Sequence, residues 1–343
     1  MKIVNAWICQ IDENKIEPIF GDIEISEGKI YNIISKDIND ESNSAQSLTN
    51  AINAHGRVVT IPNVNYHDHI YSSLAKGLRL EGDFSNFYNI LKNLWWKLDL
   101  LLDEDMIRAS AQMTAIESIK KGITYIIDHH SSPHASENSL RTISEELENL
   151  GLRNILCFES TDRNGRELKE EGIKENINFL ENYITENSKS MLGLHASFTL
   201  DDDTLKKAAE LIREHDWSIH VHLCEDLSDI EESNRKYDSN PLKRFVDHNL
   251  LNSKSILAHG IHLNENEFRL VEESGAAIAL NIDSNMNNSV GLHKYDLMYR
   301  NIPILIGTDG MHSNIPRSLK ELFLQLRNYG LSFDDSFNFI INT

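Results

Sequence analysis

Eight short apolar runs, each followed by a segment of helical spacing, fill the chain from residue 58 onward and restrict its fold more than any other feature. They cover 58–65, 123–128, 154–159, 191–195, 217–222, 255–259, 276–281 and 302–307. Most lack the apolar–polar alternation of a strand with one wet face, so both faces need covering, as in a parallel sheet lined by helices. Between them, 202–215 opens with Asp residues suited to the positive end of a helix, and 265–274 and 318–328 read similarly. Eight such units predict an α/β chain closed into a (β/α)₈ TIM-like barrel. A doubly wound open sheet is the alternative, but no glycine-rich dinucleotide loop follows the first run.

The first 57 residues read differently. Gly21-Asp-Ile-Glu-Ile and Lys29-Ile-Tyr-Asn-Ile-Ile alternate apolar and polar residues around a turn at Glu27-Gly28. The stretch 37–53 is polar, rich in Asn and Ser, and reads as a loop or edge. The expected organisation is therefore a small β-sandwich domain over 1–57 ahead of a barrel over 58–343.

The chain holds 15 histidines, and several stand where the apolar runs end. His67 and His69 follow the first run, and Asp128, His129 and His130 close the second. His195 ends the fourth, His222 with Glu225 the fifth, His259 the sixth, Asn281 with Asp283 the seventh, and Asp309 follows the eighth. In a barrel these carboxyl ends meet on one face, where barrel enzymes carry their chemistry.

Composition removes other classes. With 33 Lys and Arg against 53 Asp and Glu, the formal net charge is −20, and no basic stripe offers a nucleic-acid footprint. Three scattered cysteines, Cys9, Cys157 and Cys224, fit neither a disulfide framework nor a zinc knuckle, and are in keeping with a cytoplasmic protein. The first residues turn polar too soon for a secretory signal, and no apolar run reaches membrane-spanning length. Partners are thus expected to be a small molecule and, in addition, a second copy of the chain, not nucleic acid or membrane.

His67 and His69 stand two apart on a strand, so both side chains lie on one side and can reach one ion. Alone this pair is a weak signal. Together with His222 and Asp309 it supplies three imidazoles and a carboxylate, a donor set for Zn²⁺ or Fe²⁺ with a position left for water. Hydrogen-bonded structural histidines are the competing explanation.

These residues sit in segments that resemble a known family. IPNVNYHDHIYSSLAKGL resembles the first-strand metal motif of amidohydrolases acting as aminohydrolases, VHLCED their fifth-strand motif, LAHGIHL their sixth and IGTDG their eighth. LWWKLD, IDHHSSP, LHASFTL and NIDSNMNNSVG are most similar to the SsnA-type aminohydrolases, a group related to chlorohydrolases, guanine deaminases and adenosylhomocysteine deaminases. The resemblance implies that His67, His69, His222 and Asp309 ligate one divalent metal, with Zn²⁺ expected and Fe²⁺ the alternative. It also gives Glu225, His259 and Asp309 catalytic roles. Such an ion lowers the pKa of bound water to about 7. Asp309 can accept a proton, His259 can stabilise developing charge, and Glu225 can protonate a ring nitrogen.

The fourth run, Met191-Leu-Gly-Leu-His195, offers no lysine to bridge two metals, which favours one. The expected reaction is hydrolytic deamination of a small, purine-like nitrogen heterocycle. Hydrolysis of another C–N or C–halogen bond and a non-catalytic binding barrel are the alternatives. His195, Asp99 and His130 are implied substrate contacts. For His195 a supporting hydrogen bond, for Asp99 a helix-surface position, and for His130 a turn away from the mouth compete with that role. Trp95 and Trp96 are expected in the core or over a planar substrate, and Asn285, Asn287 and Asn288 in a turn or positioning polar groups. Relatives implied by the resemblance continue past residue 343 and return to the β domain, so this form is expected to be the less stable.

Overall fold

The computed structural model describes residues 1–12, 15–38, 51–297 and 301–343. It divides into two compact units, residues 1–62 with 337–342, and residues 63–336 with Thr343.

In the first unit, strands β1 (Lys2–Asp12), β2 (Lys15–Ser26), β3 (Lys29–Ser35), β4 (Ala51–Asn53) and β5 (Val58–Val59) form one sheet. Its order is β3-β2-β1-β4, with β5 also on β1. Ser26 pairs with Lys29 across the expected turn, and Glu27 (φ 50°) and Gly28 (φ 72°) are both left-handed. That is the two-residue loop whose twist matches antiparallel strands. Ala6, Ile8, Ile23 and Ala54 make the buried cluster. Of the stretch expected as a loop or edge, 39–50 lie outside the described residues, and Ala51–Asn53 is a strand parallel to β1.

The second unit carries β6 (Asn63–Asp68), β7 (Ile123–His130), β8 (Arg153–Phe158), β9 (Ser188–Ser190), β10 (Leu192–Ala196), β11 (Ile219–Leu223), β12 (Ile256–His259), β13 (Ala277–Leu280) and β14 (Ile304–Ile306). They form two parallel sheets, β6-β7-β8-β9 and β10-β11-β12-β13-β14. Isolated parallel bridges pair Asp68 with Asp309 and Ser160 with Leu194, at the two flanks where the sheets meet. Ile127, Cys157, Met191, Ile256 and Ala279 pack into one cluster with Tyr66, Tyr125, Ile155 and Leu305, so both sheets share a core.

Two of the eight expected strands need correction. The run 58–65 divides into β5 and β6 around Pro62, which has no N–H to give a ladder. The run 191–195 starts late because the backbone changes partner there: Met191 N donates to Leu156 O (3.2 Å) and Leu192 N to Ser218 O (2.9 Å). The helices obey local rules. Asn264 and Glu267 form a reciprocal capping box before Glu265–Ser274, and Gly275 (φ 71°) ends it. Helix Asp202–His215 has acids in its first turn and Arg213 and His215 in its last. Because all nine strands run parallel, their carboxyl ends share one face.

Candidate active site

That face opens into a cavity of about 600 Å³, counting its mouth. His69, His222, Glu225 and Asp309 lie on its floor beside His195, while Trp95, Trp96, Phe87 and Phe198 supply apolar wall. The expected metal ligands come from three strand ends far apart in sequence. Nitrogens of His67, His69 and His222 lie within 4.8 Å of one another, as do donor atoms of His67, His259 and Asp309.

Backbone carbonyls fix the ring orientations. His69 Nδ1 donates to His129 O (2.7 Å) and His222 Nδ1 donates to His195 O (2.9 Å). Their Nε2 lone pairs therefore face one another at 3.0 Å, with Asp309 Oδ1 3.5 Å from His69 Nε2. His67 Nδ1 meets His220 Nε2 at 2.8 Å, and His67 Nε2 is buried without a partner. Burial, with the other imidazoles close by, pushes His67 and His222 well below the usual histidine range, so both are neutral. Convergent lone pairs and an orphaned buried nitrogen call for a cation, and the mixed imidazole–carboxylate set suits a divalent transition ion.

One short helix, Ile282–Asn288, reaches three of the expected chemical groups. Ser284 Oγ donates to Asp309 Oδ2 at 2.6 Å. Asn285 Oδ1 accepts from His259 Nδ1 at 2.8 Å. The Asn288 side chain bonds Glu225 and also donates to Ser284 Oγ at 3.2 Å. His259 Nε2 is left facing Asn281 Nδ2 (3.4 Å), Glu225 Oε2 (3.4 Å) and Asp309 Oδ2 (3.8 Å). Burial, reinforced by Asp309 and Asp229, pushes Glu225 well above the usual carboxylate range, so it holds a proton. Asp309 is buried too, yet His69, His259 and the Ser284 hydroxyl hold it below its usual value. A protonated acid and an ionised one thus stand on either side of His259, a separation of roles that environment alone creates. His259 (φ 72°) and Asp309 (φ 52°) both take left-handed backbone, uncommon outside glycine and concentrated at functional sites.

The expected substrate contacts fare unequally. His195 Nδ1 donates to Thr199 Oγ1 (2.7 Å), whose own proton goes to Ala196 O (2.9 Å), so neutral Nε2 is an acceptor in the cavity wall. Burial lowers this imidazole to about 3. Asp99 is no surface acid: it is 2% exposed, lines the cavity and pairs with Arg163 at 2.5 Å. His130 is not among the residues lining the cavity. Its Nε2 donates to Ser132 Oγ (2.8 Å), whose proton goes to Ala135 O, because adjacent strand residues face opposite ways and His129 takes the inner face. Its placement gives no support to a substrate contact. Trp95 and Trp96 line the cavity. Of the asparagines, Asn285 bonds His259 and Asn288 bonds Glu225, while Asn287 bonds its neighbour Asn288.

Sequence reasoning assigned nothing to Glu159, Arg163, Tyr71, Asp229, Ser284 or His220. Glu159 follows β8, the third strand of the second unit, and could have been counted with the other polar ends. Arg163 had no signal, since it reaches the cavity from a loop.

Comparison with known proteins agrees with this geometry. The amidohydrolase family model matches residues 58–339. A 5'-deoxyadenosine deaminase of Methanosphaera stadtmanae is 27% identical over 261 residues, 75% of this chain and 59% of that protein. A 5-methylthioadenosine/S-adenosylhomocysteine deaminase of Thermococcus kodakarensis is 27% identical over 303 residues, 87% of this chain and 68% of its own. The chain thus spans 59% of the length of the first of these. Among solved structures, guanine deaminase from C. acetobutylicum with bound guanine superposes with a TM-score of 0.81 at 15% identity, over 98% of this chain and 83% of that one. Atrazine chlorohydrolase TrzN from Arthrobacter aurescens TC1, complexed with zinc, gives 0.78 at 18% identity, over 98% and 78%. No helix among the described residues is long and apolar enough to cross a membrane.

Proposed function

Because the chain belongs to the amidohydrolase family, we propose that it is a metal-dependent aminohydrolase that deaminates a small, purine-like nitrogen heterocycle with water. The observation carrying this reading is the convergence of His67, His69, His222 and Asp309 beside a protonated Glu225 and a His259 of fixed tautomer. Those four would hold one divalent ion, zinc before iron. When bound, such an ion acts as a Lewis acid and makes water acidic enough to attack at neutral pH.

The chain's own residues then divide the proton traffic. Asp309, ionised, accepts the proton of the attacking water. His259, with Nδ1–H anchored on Asn285, presents Nε2 to the space between Glu225 and Asp309 and steadies charge there. Glu225, kept neutral by burial, donates to the ring nitrogen next to the attacked carbon; the proton held by Asp309 then passes to the amino group, which departs as ammonia, and the remaining proton of the attacking oxygen returns to Glu225 as the carbonyl forms. His195 Nε2 accepts from a ring N–H, the aromatic walls cover the ring faces and shed water, and Asp99 borders the substrate.

The same reading takes residues 58–343 as a closed (β/α)₈ barrel. The bridges Asp68–Asp309 and Ser160–Leu194 and the core shared by both sheets support closure. Residues 1–57 are read as part of a small β-sandwich, in a cytoplasmic protein that self-associates. Deamination is tested by ammonia release from purines, pterins, pyrimidines and triazines with zinc- and iron-loaded protein. Metal-replete, folded protein that releases ammonia from none of them would end the proposal.

A further inference from the structure

The cavity wall holds a charge arrangement that bears on which heterocycles can enter. Arg163 is the only Lys or Arg among the described residues that line it. Its guanidinium is already engaged twice: Nη2 donates to Asp99 Oδ2 at 2.5 Å and Nη1 to Glu159 Oε1 at 2.8 Å. All three side chains are at least nine-tenths buried, and the Arg163 cation also lies 5.3 Å from the Trp96 ring centroid. Its Nε–H is buried and unpartnered, and the carboxylates on Nη1 and Nη2 offset its charge. Glu225, Asp229 and Asp309 are the other acidic residues of the described lining.

We propose that this cavity selects uncharged planar heterocycles and discriminates against those bearing a carboxylate or phosphate, because the one basic side chain among its described lining residues is charge-paired with both Asp99 and Glu159. The proposal rests on reading the cavity as a heterocycle site, and deepens it by naming the substrate's charge class. The physical reason is desolvation. An entering anion loses its water and needs a cation in return, and apart from the divalent ion that His67, His69, His222 and Asp309 would hold, no unpaired one is offered by the described wall. Two carboxylates against one guanidinium leave this part of the wall with no net positive charge to attract it. An uncharged ring loses little solvation and gains the contacts of Phe87, Trp95, Trp96 and Phe198. Glu159 by itself offsets the guanidinium, so protonating Asp99 does not turn the wall cationic.

The test uses isosteric pairs that differ by one charge: adenosine 5'-carboxamide against adenosine 5'-carboxylate, and pterin-6-carboxamide against pterin-6-carboxylate. Equilibrium binding to the zinc-loaded full chain is measured by calorimetry, and ammonia release in parallel. The carboxamide of each pair that binds is expected to be favoured by at least about 10-fold. Asp99→Asn removes one of the two carboxylate charges that offset Arg163, so it is expected to shrink that ratio several-fold, and Asp99→Asn/Glu159→Gln further. Equal or tighter wild-type binding of the carboxylates overturns the selectivity, even if both are deaminated. A ratio unmoved in both variants overturns the assignment to Arg163 and its partners. Preference for carboxamides without ammonia release keeps the selectivity and leaves the deaminase reading to the wider heterocycle panel. Failure of every probe to bind overturns the selectivity.

Discussion

At the scale of single residues, Glu225 is the most informative group, because its environment makes opposite demands on stability and chemistry. Burial beside Asp309 and Asp229 raises its folded pKa above the unfolded value, so its charged form is disfavoured in the native state. The stability it contributes is complete at low pH and is lost as pH rises through the raised pKa. Glu225→Gln does not titrate, and is expected to match wild type in acid and melt higher at alkaline pH, by about 0.5–2 kcal/mol of stability. In the same variant kcat should drop by about 10²–10⁴-fold. Ammonia release and thermal unfolding across pH measure both effects. For wild type, kcat/KM should fall on the alkaline side as Glu225 loses its proton, and on the acid side as the metal-activated water, and at lower pH Asp309, gain theirs. Asn285→Ala should lower kcat by about 10-fold or more with little change in KM, because His259 loses the acceptor that fixes its tautomer. Unchanged kinetics in that variant would deny Asn285 any positioning role.

At the scale of elements, the strand ends matter more than the strands. Gly307 closes β14 (Ile304–Ile306) where a Cβ would stand 2.3 Å from Asn281 Oδ1 and 2.7 Å from His67 Cβ. The next residues lean on the same spot, with Thr308 N (3.0 Å) and Asp309 N (2.9 Å) both donating to His67 O. Gly307→Ala is therefore expected to displace His67 and reduce metal content while costing about 1–3 kcal/mol of stability. Elemental analysis of folded variant protein reads the first effect and denaturation the second. The β2–β3 turn offers a control away from the cavity. Nothing lies within 4 Å of a Cβ added at Gly28, so Gly28→Ala carries only the left-handed backbone penalty of about 1 kcal/mol. Faster hydrogen exchange in 21–35 with unaltered metal content is the expected result.

At the scale of the whole molecule, the decisive quantity is metal stoichiometry. One equivalent of divalent ion is expected, bound where the Nε2 atoms of His67, His69 and His222 converge. Chelation should lower the melting temperature, since an ion at about 1,000 times its dissociation constant stabilises by about 4 kcal/mol. Two equivalents in folded protein would contradict the single-ion reading.

Much of this architecture was legible in the chain. Strands buried on both faces betray themselves as unalternating apolar runs, and the polar residues at their ends mark His67, His69, His222, Glu225, His259 and Asp309 as candidates from the sequence alone. Those signals are local, because strand period and helix spacing are set by neighbours along the backbone. What needed three dimensions was pairing across the fold. Asp99 and Arg163 lie 64 residues apart, and nothing nearby in sequence says that they form an ion pair in the cavity wall. The split at Pro62, the partner change at Met191, the outward turn of His130 and the reach of Ser284, Asn285 and Asn288 to three different strand ends belong to the same class. Sequence alone determined which side chains could do chemistry; tertiary structure decided which neighbours set their protons, tautomers and charge, because Coulomb and hydrogen-bond energies depend on distance in space and not along the chain.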